Sequence, residues 1–282
     1  MVKSRHLIAL DLDGTLLTDE KTISSQTKQT IFEAKEAGHV VVIATGRPHR
    51  ASIQYYEALG LETPMINFNG ALVHNPFDKH WKISHTPLPV DTALKIVDSC
   101  HEVNVRNILA EIQDNVYLDQ YDEAILDIFR SSLPESMREN EPFYIGNLKQ
   151  QLQEDPTSIL IHPNMATVDD LRSELNNEHA ELVEHRNWGA PWNIIEIVRK
   201  GINKAVGLKQ VADYFNIPRE QIIAFGDEDN DLEMIEYAGV GVAMGNAIDE
   251  LKSIAGQVTL TNEQDGIGIF LSDYLSLKVR TT

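Results

Sequence analysis

The chain has 282 residues, with 24 lysines and arginines against 43 aspartates and glutamates, which gives a formal net charge of -19. This acidity argues against nucleic acid and anionic membranes as partners, because phosphate groups attract basic patches. The single cysteine, Cys100, cannot form a disulfide within the chain, and no apolar stretch is long enough to cross a bilayer. We therefore expect a globular cytoplasmic protein without a signal peptide.

Buried strands and helices are predicted to alternate in the first part of the chain. A helix begins after Ser24, a typical N-cap residue, and ends before Gly38. A second helix runs from Pro48 to about Leu59. Continuous apolar runs predict strands at 7–10, 40–44 and 65–68. This alternation is typical of an α/β fold with a parallel sheet and right-handed crossovers.

The pattern changes after the third strand. A hairpin is predicted around Asn75 and Pro76, and the following region mixes helices with strands. The helices predicted there are 90–103, 122–129 and 168–175, and the strands are 106–111, 116–119, 158–162, 182–185 and 193–198.

The alternating pattern returns near Lys200 and continues to Leu275. Asn203 is predicted to cap a helix that runs to Phe215. Further helices are predicted at 232–238, 248–254 and 267–275, and strands at 222–225, 240–244 and 258–260. One α/β domain is thus predicted to be split by an inserted α+β domain. The predicted limits are 1–85 and 193–282 for the core and 86–192 for the insertion.

Two aspartates follow the first strand directly. Residues two apart in extended chain point to the same side, so the carboxylates of Asp11 and Asp13 would face one spot at the carboxyl end of the strand. Ligands bind at that end in open α/β sheets. Like charges this close repel, and a bound cation keeps both carboxylates ionised. The alternative interpretation is a solvated acidic turn.

A second acidic segment follows the strand at 222–225. Asp227, Asp229 and Asp231 alternate like the start of a calcium loop, but such a loop needs glycine where this chain has Leu232. We therefore reject a calcium loop. A solvated helix start is an alternative, since carboxylates suit helix N-termini. We favour a divalent-metal site shared with Asp11, because it accounts for both acidic segments.

Several predicted strand ends and helix starts carry polar residues that can act together. The segments are Asp11/Asp13, Thr45-Gly46, the helix start at Lys204, and Asp227 to Asp231. Because the carboxyl ends of parallel strands meet at one edge, we expect these segments to converge. The sequence contains neither a G-x-x-x-x-G-K-[ST] loop nor an H-E-x-x-H pair. A P-loop nucleotide enzyme and a zinc protease of that type are therefore not supported.

Four motifs occur in a fixed order along the chain. They are Asp11-Leu-Asp13-Gly-Thr15, Ala44-Thr45-Gly46-Arg47, Lys204, and Gly226-Asp227-x-x-Asn230-Asp231. Together they resemble the haloacid dehalogenase (HAD) superfamily of phosphohydrolases. Their order, and Asn69-Gly70-Ala71 before the insertion, look like the Cof-type branch (subfamily IIB), whose cap is inserted after the third core strand. Ala205 is a departure, since that branch commonly has glycine after the motif lysine.

The resemblance implies a Rossmann-like HAD core, an inserted cap of the C2 type, and a Mg²⁺-dependent phosphatase that works through an aspartyl-phosphate. Asp11 would attack phosphorus. Asp13 would protonate the leaving oxygen and then take a proton from water, which requires a raised pKa for its carboxyl. The implied Mg²⁺ ligands are the Asp11 carboxylate, the backbone carbonyl of Asp13 and the Asp227 side chain.

The resemblance also assigns residues around the phosphate group. The implied phosphate ligands are the Thr45 hydroxyl, the Gly46 amide, Lys204 and Asn230. Asp231 would orient the lysine or the metal shell, and Arg47 would either contact substrate or pair with an acidic neighbour. Near the return to the core, His185, Arg186 and Trp188 are placed to face the leaving group, but Trp188 is left out of the predicted site because tryptophans more often pack in cores or hairpins than bind a ligand.

The substrate class implied is a small phosphorylated metabolite, with sugar phosphates first. One alternative is a phosphomutase or phosphotransferase, in which Asp11 would stay phosphorylated until a sugar accepts the group. Another is a non-catalytic binding or regulatory protein. Loss of a motif carboxylate would favour that second alternative, and all of them are present.

Overall fold

The computed structural model of the protein describes residues 5–178, 181–187 and 193–277. Its strands are β1 (Leu7–Leu10), β2 (Val40–Ile43), β3 (Met65–Asn67), β4 (Leu72–His74), β5 (Ser84–His85), β6 (Asn107–Ile112), β7 (Asn115–Leu118), β8 (Phe143–Ile145), β9 (Ser158–His162), β10 (Val183–Asn187), β11 (Ile195–Arg199), β12 (Ile222–Gly226), β13 (Val240–Ala243) and β14 (Gln257–Val258). Its helices are α1 (Ser25–Glu36), α2 (His49–Ala58), α3 (Val90–Glu102), α4 (Glu123–Ser131), α5 (Leu148–Gln151), α6 (Val168–Glu178), α7 (Lys204–Phe215), α8 (Leu232–Tyr237), α9 (Asp249–Ile254) and α10 (Gly266–Leu275).

The chain forms two compact units. The first comprises the described residues within 1–47, 52–84 and 203–282, and the second those within 48–51 and 85–202. The domain limits predicted from the sequence, with an insertion at 86–192, stay a prediction. No helix within the described ranges is long and apolar enough to cross a membrane.

A five-stranded parallel sheet in the order β14-β13-β12-β1-β2 forms the centre of the first unit. Leu10, the last residue of β1, is paired with Phe225 on one side and Ile43 on the other. All four side chains of β1 are fully buried, as expected for a strand covered on both faces. The carboxyl ends of β1, β2 and β12 therefore lie side by side.

The third predicted strand lies parallel beside the chain that follows β2, but it does not join the continuous ladder of this sheet. β3 pairs antiparallel with β4 in a three-stranded sheet of order β3-β4-β5. A parallel bridge between Ala44 and Ile66 joins it to the chain that follows β2. The chain turns back directly after β3, through a 3-10 turn over Phe68–Gly70, so β3 finds its strand partner in the hairpin that follows.

Local capping fixes the limits of α1 and of α7, the helix that carries Lys204. Ser24 accepts a hydrogen bond from the backbone N–H of Thr27 (3.1 Å) at the start of α1, and Gly38 follows that helix at φ +93°. Asn203 accepts from the N–H of Val206 (3.1 Å), which makes Lys204 the first residue of α7. These helix limits were predicted from the same residues.

The second unit is built on a six-stranded sheet in the order β10-β11-β9-β6-β7-β8. Helices α3, α5 and α6 contribute to the apolar cluster on one face, and α4 contributes to the cluster on the other. The strand β8 and the short helix α5 were not predicted. Arg50 and Glu111 form a buried ion pair within this unit, and Glu111 also accepts from Ser158 Oγ (3.0 Å).

Candidate active site

The carboxyl ends of β1 and β12 bring two acidic segments together. The backbone N–H of Asp11 donates to the carbonyl of Phe225 (3.2 Å), one residue beyond β1. The Thr15 hydroxyl donates to Oδ1 of Asp227 (2.6 Å), although 212 positions separate them. Gly14 permits this approach, because it has φ +71° and a Cβ there would lie 2.1 Å from Asp227 Oδ2. The predicted convergence of these segments is thus present in the fold.

Lys204 lies between two of the aspartates. Its Nζ donates to Oδ1 of Asp11 (2.6 Å) and to Oδ1 of Asp231 (2.7 Å), and its side chain is fully buried. Burial disfavours the charged amine, but the charges of both carboxylates outweigh it and raise the pKa of Lys204. The other oxygen of Asp231 accepts from the backbone N–H of Asp227 (3.0 Å). Asp231 thus contacts the lysine directly, and its predicted role in orienting the lysine or the metal shell stays a prediction.

The residues present fit a divalent cation. One carboxylate oxygen from each of Asp11, Asp227 and Asp231 lies within 4.8 Å of the others, and all three residues are buried. Burial, and then the charges of the neighbouring carboxylates, raise the pKa of Asp11 well above its usual value against the lowering effect of Lys204. Burial likewise raises the pKa of Asp227 to about 7. The positive charge of a bound divalent cation would favour the ionised form of these carboxyls. Mg²⁺ prefers oxygen ligands of this kind.

The pKa of the Asp13 carboxyl is lowered, whereas a raised pKa was expected. Arg47 donates to both of its carboxylate oxygens, from Nε (2.6 Å) and Nη2 (2.6 Å), and Lys21 Nζ donates to Oδ1 (2.7 Å). Burial opposes ionisation, but the hydrogen bonds and charges of Arg47 and then Lys21 prevail and lower the pKa of Asp13 to about 2. The raised pKa predicted for this carboxyl is therefore wrong for the arrangement observed.

Both cations that contact Asp13 are informative. Arg47 belongs to a predicted motif, whereas Lys21 was not predicted as a site residue. Of its two predicted roles, pairing with an acidic neighbour is the one observed, and its contact with substrate stays a prediction. Lys21 lies eight residues after Asp13 in the chain. Neither a strand period nor a cap connects them, so no local signal in the sequence predicts this pair.

Three predicted phosphate ligands lie around the turn after β3. The Thr45 hydroxyl accepts from the N–H of Arg47 (3.1 Å), and the Thr45 carbonyl accepts from the N–H of Asn69 (3.1 Å). Asn230 Nδ2 donates to Oδ1 of Asn69 (3.0 Å). A Cβ on Gly46 would lie 3.2 Å from both polar atoms of the Asn69 side chain. Asn69 was not predicted as a site residue, although its place after a buried strand is the signal used for the others.

Substitution of Gly70 by alanine is expected to destabilise the first unit through a steric clash. Gly70 has φ +98°, and a Cβ there would lie 2.3 Å from the backbone carbonyl oxygen of Asn203, next to Lys204. We expect Gly70→Ala to lower the free energy of unfolding by about 1–3 kcal/mol more than Gly38→Ala does. Urea denaturation of both variants measures the difference.

Gly38→Ala is the matched control, because Gly38 has a similar φ of +93° and open space where the Cβ would be. It reports the cost of the left-handed backbone alone. Equal losses in the two variants would contradict the close approach of Gly70 to the start of α7.

The segment predicted to approach the leaving group contains His185, Arg186 and Trp188. The side chains of His185 and Arg186, and the whole of Trp188, lie outside the described residues. Their predicted position therefore stays a prediction.

The family model of the haloacid dehalogenase-like hydrolases matches residues 8–271 of the chain. The protein belongs to this family, as the motifs predicted. Its fold is the expected α/β fold with a parallel core sheet, and it is a HAD-type phosphoric monoester hydrolase.

Curated relatives extend over nearly the whole chain. The 5-amino-6-(5-phospho-D-ribitylamino)uracil phosphatase YitU of Bacillus subtilis is 52% identical over 272 residues, which cover 96% of this chain and 98% of the relative. The pyridoxal phosphate phosphatase YbhA of Escherichia coli is 32% identical over 283 aligned positions, which cover 96% of this chain and 98% of that protein.

Solved structures show the same fold. TM0651 from Thermotoga maritima superposes with a TM-score of 0.82 at 29% identity, covering 96% of this chain and 97% of that one. A protein described as the HAD subclass IIB sugar phosphatase BT4131 superposes with a TM-score of 0.78 at 21% identity, covering 98% of this chain and 100% of its own. At that identity, the second likeness shows the fold alone.

Proposed function

We propose that this protein is a Mg²⁺-dependent phosphatase that removes the phosphate group of a small phosphorylated metabolite through an aspartyl-phosphate on Asp11. The observation that carries the proposal is the buried cluster of Asp11, Asp227 and Asp231 beside the ammonium group of Lys204. Phosphate monoesters hydrolyse extremely slowly in water. A nucleophilic carboxylate and a phosphate dianion also repel each other, and the positive charge in this site counters that repulsion.

The proposed reaction has two chemical steps. The Asp11 carboxylate forms a bond to phosphorus while the ester P–O bond breaks, and the leaving oxygen takes a proton from Asp13. Water then attacks phosphorus and gives a proton to Asp13, which releases orthophosphate and restores the Asp11 carboxylate. The ionised state of Asp13 beside Arg47 suits the second step. The first step requires Asp13 to carry a proton and to separate from Arg47.

The proposed cation ligands are the carboxylates of Asp11 and Asp227 and the backbone carbonyl of Asp13. When bound, Mg²⁺ would screen the charges on the nucleophile and the phosphoryl group. Asp231 holds Lys204 in place.

The proposed phosphate ligands are Thr45, Gly46, Lys204 and Asn230. We also propose that residues 86–192 form the cap domain of a cytoplasmic enzyme, with the remainder of the chain as its core.

The substrate class is proposed from the relatives. YitU, at 52% identity, is named for a compound with a phosphate on a ribityl chain, and two further Bacillus subtilis relatives, at 30% and 32% identity, carry the same name. We therefore place phosphorylated ribityl compounds first, within the wider class of sugar and sugar-alcohol phosphates. The charge and hydrogen bonds at the candidate site suit the phosphate group that these compounds share.

Orthophosphate release from a substrate panel tests this proposal. The panel contains the ribitylaminouracil phosphate, several sugar phosphates, pyridoxal phosphate and p-nitrophenyl phosphate. We expect EDTA to lower the rate on every substrate that turns over by about 100-fold or more, and Mg²⁺ to restore it, because a metal supplies several kcal/mol of charge stabilisation.

Release that is unchanged by EDTA would contradict the metal dependence. The same assay with added acceptor sugars separates hydrolysis from phosphate transfer. We expect orthophosphate to account for all of the substrate consumed, with or without an acceptor. A phosphorylated acceptor as the main product would favour a phosphotransferase.

A further inference from the structure

The turn after β3 has an uncommon backbone. Phe68 and Asn69 have φ values of +49° and +53°, and Gly70 follows at +98°. Left-handed conformations cost little for glycine and asparagine but more for a bulky residue such as phenylalanine. Phe68 and Asn69 are also buried. A backbone of this kind persists where the surroundings hold it, and such turns concentrate at functional sites.

Three separate segments of the candidate site contact this turn. The N–H of Asn69 donates to the carbonyl of Thr45 (3.1 Å), and the Asn69 side chain lies against the bare Cα of Gly46. Gly70 packs closely against the carbonyl of Asn203, which caps α7. These contacts join the loop after β2 to the helix start that carries the buried lysine.

The third contact concerns Asn230. Its amide nitrogen donates to Oδ1 of Asn69 (3.0 Å), and Asn69 is the hydrogen-bond partner of this side chain among the described residues. A primary amide has two N–H groups. Because one is used by Asn69, the plane of the Asn230 amide is fixed and its second N–H is left for another acceptor.

We infer that Asn69 is a positioning residue for phosphoryl transfer. It holds the side-chain amide of Asn230 close to the backbone amide of Gly46, so that both N–H groups donate to one phosphoryl group. The inference rests on the proposed function, since it takes Asn230 and Gly46 as phosphate ligands. Asn69 acts through Asn230 and not on the phosphorus itself. Its removal therefore costs the contribution of Asn230 and little more.

A double-mutant cycle tests this coupling. The variants are Asn69→Gly, Asn230→Ala and the pair, assayed with p-nitrophenyl phosphate and Mg²⁺, with orthophosphate as a competitive inhibitor. Glycine accepts the left-handed backbone, so Asn69→Gly removes the side chain without backbone strain. We expect each single substitution to lower kcat/KM by about 10-fold or more, in the range of lost donor hydrogen bonds.

The inference predicts that the pair is no worse than Asn230→Ala alone, within about twofold. We expect the inhibition constant of orthophosphate to show the same lack of additivity. Effects that multiply would overturn the inference, because Asn69 would then act independently of Asn230.

Asn69→Asp provides a second background with the original shape. It keeps the oxygen that accepts from Asn230, so Asn230→Ala should retain its full relative effect there, although the added charge lowers activity overall. If Asn230→Ala lowers kcat/KM as little in the Asn69→Asp protein as in the Asn69→Gly protein, the inference is also overturned.

Asn216→Gly is the matched control for the backbone. Asn216 has φ +52° and is exposed at the end of α7, so we expect kcat/KM to be unchanged. Failure of the proposed function has a separate signature, namely wild-type protein that releases no orthophosphate in the presence of Mg²⁺. Active wild type with multiplicative variants rejects the positioning role alone.

Discussion

Replacement of Asp11 by asparagine is expected to abolish turnover. Asparagine keeps the size of the side chain and an oxygen that can accept from Lys204, but it cannot form the bond to phosphorus that the carboxylate forms. We expect kcat/KM to fall by about 10⁴-fold or more, as when other nucleophiles are removed. Steady-state release of orthophosphate from p-nitrophenyl phosphate measures this loss.

Asp229→Asn is the matched control, because Asp229 is an exposed carboxylate in the acidic segment that also carries Asp227. The same change of charge should leave kcat/KM within about twofold of wild type, as is usual for surface substitutions. Circular dichroism of both variants checks that each is folded. A folded Asp11→Asn protein with more than a tenth of wild-type activity would rule out Asp11 as the nucleophile.

Removal of the buried lysine has the second largest expected effect. Lys204→Met takes away the cation between Asp11 and Asp231 and leaves two buried carboxylates that repel. Loss of one partner of a buried ion pair costs about 3–5 kcal/mol of stability. We expect a loss of this size in urea denaturation at pH 8 with EDTA present, and a fall of about 100-fold or more in kcat/KM.

Lys209→Met is the control within the same helix. Lys209 pairs with Asp213 at 2.7 Å on the exposed surface of α7, so its removal should change the free energy of unfolding by less than about 1 kcal/mol. Equal losses for the two variants would contradict the account of Lys204 as the charge that holds the acidic cluster together.

The loss in Lys204→Met is also expected to depend on pH. The charge of Lys204 lowers the pKa of both Asp11 and Asp227, so without it these carboxyls have higher pKa values in the fold and destabilise it more as the pH rises. Protonation at lower pH removes the repulsion. The difference in stability between wild type and Lys204→Met should therefore be smaller at pH 5 than at pH 8, and a difference that grows at pH 5 would contradict the repulsion argument.

The strands and helix starts that position this site can be predicted from the sequence, because each is specified by neighbouring residues. An apolar run identifies β1, Ser24 and Asn203 cap the helices that follow them, and the carboxyl ends of parallel strands converge by geometry. Together these signals predict that Asp11 and Asp227 meet. The family motifs supply the functional meaning, since spacing alone leaves a solvated acidic turn as an alternative.

The features that escaped prediction depend on the tertiary fold. The pairing of β3 with β4 follows from a left-handed turn that composition does not specify. The ion pairs of Asp13 with Arg47 and Lys21 depend on side-chain rotamers and on the path of the loop. A crowded acidic site was expected to raise the pKa of Asp13, but the two adjacent cations reverse the sign.

Direct metal binding tests most simply whether Asp11 and Asp227 share one divalent cation, as we propose. Titration of Mn²⁺ into EDTA-treated protein, followed by the loss of the free-ion electron paramagnetic resonance signal, counts bound ions without reference to turnover. We expect about one bound ion per chain for wild type and Asp229→Asn, and an affinity at least about 10-fold weaker for Asp227→Asn. Unchanged Mn²⁺ binding by Asp227→Asn would contradict it.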